Sequence, residues 1–248
     1  MARAKSKKRG WFHRIDPLTS VLLVFPLFLA YEVGILAVPA AYNGADLITS
    51  AIMRLLHGNL STYVALNAGL LLAFIGITVY LRRDNQFNAR LFWPVLFEST
   101  FYALSMGALI CFVMVDLLHV DPSLSLAPRA QAGFGTPGLL ASIVISLGAG
   151  VHEELLFRVL LLGGTAYVLE RGLGARRWVA LTLAFVVSSV LFSAAHHIIG
   201  GEPFRLGAFT YRVLCGLMFA SLYEFRGLAV AVYTHAIYDI FVFVFKGG

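Results

Sequence analysis

Three short polar clusters stand inside apolar sequence: "HEELLFR" at 152–158, "FSAAHH" at 192–197 and "THAIYD" at 234–239. Together they offer carboxylates, a guanidinium and imidazoles. Such groups can take a proton from water, shuttle it, and stabilise charge that develops in a transition state. Read as helix, the first cluster divides. Glu154 and Arg158 are four residues apart and share a face, so they can form an ion pair. Glu153 is turned about 100° from Glu154 and stands five residues from Arg158, without a local cation. An uncompensated carboxylate in a low dielectric suits a general base or acid; the bland alternative is a structural clasp between helices. In the third cluster His235 and Asp239 are again four apart, and a carboxylate beside a histidine fixes its tautomer and orientation.

That set could activate water for hydrolysis, or it could hold a metal. The zincin pattern H-E-x-x-H fails, because Leu156 stands where the second histidine belongs. His196, His235 and a Glu or Asp could still form a three-ligand site from separate helices. A third reading is a non-enzymatic transporter or scaffold that uses the cluster as a proton relay. No second half with its own interrupted helix accompanies the first, which weakens the transport reading.

The elements that must carry these residues are membrane helices. Of 248 residues 59% are hydrophobic and only 13% charged, and the mean hydropathy is +0.82. A soluble domain carries about a quarter charged residues. Apolar runs at roughly 17–40, 60–81, 91–117, 137–170, 178–199, 207–224 and 227–246 approach or exceed the length of about 20 residues that crosses a bilayer. The expected fold is all-α: one polytopic bundle of seven to eight transmembrane helices with an intramembrane active-site cavity. It forms a single integral-membrane domain over 1–248, with a basic tail at 1–16 and the catalytic motifs in 137–246. As one helix 137–170 would measure about 50 Å, so a break is expected near Gly148 and Gly150. "ADLITSAIMRLLHG" (45–58) reads as a short interfacial helix. The run from Leu18 exceeds a signal-peptide core, so "VPAA" (38–41) is not read as a cleavage site.

The net charge of +6 is unevenly placed: six of the 19 basic residues (Arg3, Lys5, Lys7, Lys8, Arg9 and Arg14) precede the first apolar run. Others cluster at Arg82, Arg83 and Arg90, and at Arg171, Arg176 and Arg177, while 118–136 and 200–206 are poor in them. This is the positive-inside pattern, with a cytoplasmic N-terminus in a bacterial-type inner (cell) membrane. The partner it implies is the lipid bilayer, not nucleic acid. Cys111 and Cys215 lie in apolar runs and read as small buried hydrophobes. Among the N-terminal carboxylates Glu98 reads as deep, whereas Glu32 and Asp116 read as solvated near helix ends.

"EELLFR" is similar to the E-E-x-x-x-R motif of the CPBP family, the CAAX proteases and bacteriocin-processing enzymes, also called the Abi family. "FSAAH" (Phe192–His196) resembles its F-x-x-x-H motif, and "HAIYD" (His235–Asp239) its H-x-x-x-N motif, in which Asp is an alternative. The three stand in the family's order within 153–239. The resemblance implies an eight-helix intramembrane endopeptidase of the glutamic type, with no metal and no cofactor. Its substrate would be a membrane-anchored or lipid-modified peptide or protein, through CAAX-type cleavage or sorting and peptide processing. Glu153 and His196 would activate the attacking water, Glu154 and Arg158 would support them, and His235 and Asp239 would stabilise the oxyanion. An ionised aspartate can only accept hydrogen bonds, so Asp239 either carries a proton or orients His235, which alone donates. The second is the expectation, and His197 is expected at an interfacial or loop position.

Overall fold

The computed structural model describes residues 14–37, 46–121, 138–200 and 202–245. The basic residues Arg3 to Arg9, the "VPAA" stretch and most of 118–136 lie outside the described residues. The described chain is helical: α1 (Pro17–Ala37), α2 (Leu47–Leu55), α3 (Leu60–Leu81), α4 (Ala89–Leu117), α5 (Leu139–Gly172), α6 (Arg177–Ile198), α7 (Leu206–Arg226) and α8 (Leu228–Phe245). Six of these are long and apolar enough to cross a membrane. With 18 residues α8 adds a seventh rod of about 27 Å. Nine residues leave α2 too short to span, as its reading as an interfacial helix requires.

The bundle is built around α8, which packs against α1, α4, α5 and α7. Every residue from Leu228 to Ala236 is buried. A helix apolar on all sides belongs in such a central place. At the opposite extreme α3 touches chiefly α1 and turns Leu70, Leu72 and Ile75 outward, as lipid-facing residues do. Gly227, at φ 103°, joins α7 to α8 in a single step that a side chain would resist. There the Ile15 amide donates to the Arg226 carbonyl at 2.9 Å, tying the N-terminal segment to the start of α8.

The expected break in the fourth span is absent. Residues 139–172 run as one helix with right-handed helical dihedrals, but Ala149–Glu153, Leu155–Gly163 and Val168–Gly172 are π-helical. Within hydrocarbon a true break would strand backbone donors and acceptors, whereas a π turn redirects side chains and keeps the hydrogen bonds. The glycines serve close approach instead. A Cβ on Gly150 would lie 2.9 Å from the Ala236 Cβ and 3.0 Å from the Val232 carbonyl oxygen of α8.

Two carboxylates differ from expectation. Glu98 is no isolated deep charge: Arg226 Nε and Nη2 donate to it at 2.5 and 2.7 Å, and the Tyr102 hydroxyl at 3.0 Å. Glu32 is half-buried rather than solvated, and it accepts from the Tyr63 hydroxyl at 3.3 Å. Tyr102 is the four-residue neighbour of Glu98 on its own helix, but Arg226 and Tyr63 come from other helices, which spacing along one helix does not reveal.

Candidate active site

The three polar clusters converge. The π turn of α5 ends on Glu153 and Glu154 follows it, the far end of α6 presents His196, and the middle of α8 presents His235 and Asp239. Glu153, Glu154, Arg158 and His235 are all buried. Glu153 Oε2 lies 3.8 Å from His196 Nε2, and His235 Nε2 lies 3.7 Å from Asp239 Oδ2.

Glu154 works with two partners. Its Oε2 stands 3.0 Å from Arg158 Nε, the ion pair that the four-residue spacing predicts. Its Oε1 accepts from His235 Nδ1 at 2.9 Å. The hydrogen bond that orients His235 therefore comes from Glu154, and Asp239 faces the other ring nitrogen at a longer distance. The reason is geometric: Glu154 reaches across from α5, while the four-residue spacing within α8 sets Asp239 beside Nε2. Phe219 stacks on the His235 ring with centroids 4.4 Å apart and planes inclined by 13°.

Arg158 is fully buried, which costs heavily unless every side of the ion is compensated. Nη1 donates to Ser188 Oγ at 3.3 Å, and Ser188 Oγ donates to the Phe157 carbonyl at 2.9 Å. The guanidinium carbon stands 5.0 Å from the Phe192 ring centroid and 5.9 Å from that of Phe219, within cation–π range. The spacing of Phe192 and His196 also gains a backbone reason. Four residues along a helix, the Phe192 carbonyl lies 2.9 Å from His196 Nδ1. A carbonyl only accepts, so that nitrogen carries the proton and Nε2, facing Glu153, is left as an acceptor in the neutral ring.

His197 stands apart from this group. Its Nδ1 lies 3.2 Å from the Glu202 carbonyl, and its ring packs on Phe204 and Phe209. Cys215 is buried and Cys111 partly so; neither forms a disulfide. Among the described residues no group of three or more His, Cys, Asp or Glu side chains is placed to hold a metal ion. A separate cavity of about 350 Å³ opens at the basic end, lined among others by Arg14, Glu170, Arg177 and Glu224. None of the residues named above from the converging clusters lines it.

One part of the neighbourhood is not legible from the motifs. His152, immediately before Glu153, faces Asp46 at 3.5 Å between Nδ1 and Oδ1. Tyr31 donates to Asp46 Oδ2 at 2.6 Å and shares a further 2.6 Å hydrogen bond with Thr49. Burial alone would push the Asp46 carboxyl up. His152, Tyr31 and Thr49 more than offset that and hold it down at about 2. The available signals were the histidine inside "HEELLFR" and an aspartate before the short helix, 106 positions apart.

The family comparison falls on these same residues. Residues 135–241 match the model of the type II CAAX prenyl endopeptidases, Rce1-like. That stretch of the chain is similar to the Rce1-like family. The match spans α5 to most of α8 and so includes all three clusters, while α1 to α4 lie outside it. It supports an integral membrane protein of the intramembrane endopeptidase kind. No curated protein and no solved structure matches the chain.

Proposed function

We propose that this Rce1-like protein is a glutamic intramembrane endopeptidase that hydrolyses a peptide bond of a membrane-anchored or lipid-modified substrate. The observation that carries this reading is the buried Glu153 carboxylate facing an acceptor nitrogen of His196 at 3.8 Å. That gap is too long for a direct hydrogen bond, and one water can reach both groups. Each would take one of the water's two protons as a hydrogen bond, which leaves an oxygen lone pair for attack on the scissile carbonyl carbon.

As the new C–O bond forms, a proton passes to Glu153 and the carbonyl electrons move to oxygen. His235 Nε2 is the donor for that oxyanion, with Nδ1 fixed on Glu154. The ring then carries both protons, and Glu154 and Asp239 at its two nitrogens balance the charge. When the C–N bond breaks, the proton held by Glu153 and His196 passes to the leaving amine. Arg158, 3.0 Å away, holds Glu154 in place. Donors aimed in this way at developing charge supply about 3–4 kcal/mol each.

The decisive experiment uses purified Glu153→Gln on a quenched prenylated CAAX peptide and a panel of unmodified transmembrane peptides. Cleavage by wild type should fall by at least about 10³-fold in the variant. Strong chelation should leave wild-type activity intact. Unchanged cleavage by Glu153→Gln would end the glutamic reading. Activity that chelator removes and zinc restores would replace it with a metal hydrolase. No cleavage of any peptide by wild type would favour a proton-relay transporter.

A further inference from the structure

A second buried polar network begins one residue before Glu153, and it belongs to a helix that the family match does not cover. Asp46 caps α2 in the usual manner, its Oδ1 accepting from the amides of Ile48 and Thr49 at 3.1 and 3.2 Å. A cap of this kind normally sits in solvent. Asp46 is 1% exposed and lies against α5, facing His152 with one oxygen and receiving Tyr31 on the other. Gly148 makes that approach possible, because a Cβ there would collide with the Tyr31 ring and with Asp46 Oδ2.

The other end of α2 is tied to a different helix. Arg54 Nη2 donates at 2.5 Å to the carbonyl of Ile199, three residues beyond His196. The last carbonyls of a helix lack partners within it, and an arginine is a natural donor for them. A nine-residue helix thus bridges the element that carries Glu153 and the element that carries His196. The π turn Ala149–Glu153 gains by this arrangement, since such turns are rarely held by helix geometry alone.

We propose that α2 is a strap that sets the spacing of Glu153 and His196, with Asp46, acting through His152, and Arg54 as its positioning residues. The proposal rests on the roles given above to Glu153 and His196. Neither Asp46 nor Arg54 touches the reacting atoms, so each acts through the alignment of the pair. Misplacing reacting groups by about 1 Å costs about 10²-fold in rate.

The test compares Asp46→Asn, His152→Gln, Arg54→Ala and Arg54→Lys with wild type and Glu153→Gln, on the peptides described above. Asparagine is as good a helix cap as aspartate, so Asp46→Asn keeps α2 capped while it removes the charge facing His152 and the oxygen that accepts from Tyr31. We expect kcat to fall about 10- to 100-fold in Asp46→Asn and His152→Gln, with KM within about twofold and an unchanged unfolding temperature in detergent. Arg54→Ala should lose about tenfold, and Arg54→Lys, which keeps a donor, should recover most of it. Asp46→Asn combined with His152→Gln should be no worse than the weaker single variant, because the two act as one unit. Wild-type kcat in Asp46→Asn and Arg54→Ala would overturn the strap. So would a raised KM at constant kcat, or a loss matched by the fraction of unfolded protein. If Glu153→Gln itself stays active, the proposed mechanism fails instead, and the two failures are told apart in one experiment.

Discussion

At the scale of single residues the site separates groups kept for stability from groups kept for chemistry. Arg158 and Glu154 are both fully buried and 3.0 Å apart, and removing one partner leaves the other as an uncompensated buried charge. Arg158→Ala is therefore expected to destabilise by about 3–5 kcal/mol, read as a fall in unfolding temperature in detergent. Activity should fall further than the folded fraction, because Glu154 also loses its hold on His235. Glu153 is the opposite case. Its Oε2 is buried without a hydrogen-bond partner among the described residues, and a buried unpaired carboxylate opposes folding. Glu153→Gln should then unfold at the same temperature as wild type or higher, while losing cleavage. A Glu153→Gln variant that unfolds early would mean that this carboxylate is a structural member of the Arg158 network. Functional residues are commonly retained against stability in this way.

At the scale of elements the tight crossing of α5 and α8 joins Glu154 to His235. Its closest point is Gly150 against Val232 and Ala236. Gly150→Ala forces a methyl group into backbone atoms that cannot turn aside, so it should cost about 1–3 kcal/mol. It should also lower kcat by spreading Glu154 from His235. Gly164→Ala, where nothing stands within 4 Å of the added methyl, is the control that should behave as wild type. Equal behaviour of the two would remove the crossing from the account. The same crossing marks the limit of sequence reading. Helix existence and the pairing of Glu154 with Arg158 were legible because they depend on composition and on spacing within one helix. His235 with Glu154, and Asp46 with His152, were not, since their partners stand 81 and 106 positions away. The paired glycines signalled something unusual in α5. A break and a close contact leave the same trace in sequence, and only packing against α8 distinguishes them.

At the scale of the whole molecule the depth of the site decides which face the substrate comes from. Arg177 opens α6 beside the basic loop, and His196 lies 19 residues further on, two positions before the helix ends at Ile198. At 1.5 Å per residue that separates His196 from the basic loop by about 28 Å, nearly a full hydrocarbon thickness. Arg226 and Glu98 meet near the opposite, basic end, where Ile15 joins the start of α8. If the basic loops face the cytoplasm, as positive-inside bias requires, then His196 and the α2 strap lie toward the outer face, and a peptide substrate would be presented there. Thiol labelling in a Cys111→Ser, Cys215→Ser background tests this. Phe204→Cys, exposed in the segment after α6, should react with a membrane-impermeant maleimide in intact cells, and Arg83→Cys only after permeabilisation. The reverse pattern would turn the site toward the cytoplasm, where a prenylated C-terminus made in that compartment could reach it directly. The labelling result thus selects the substrate class as well as the orientation, because an enzyme whose base and imidazole sit near one face can draw peptides only from that side.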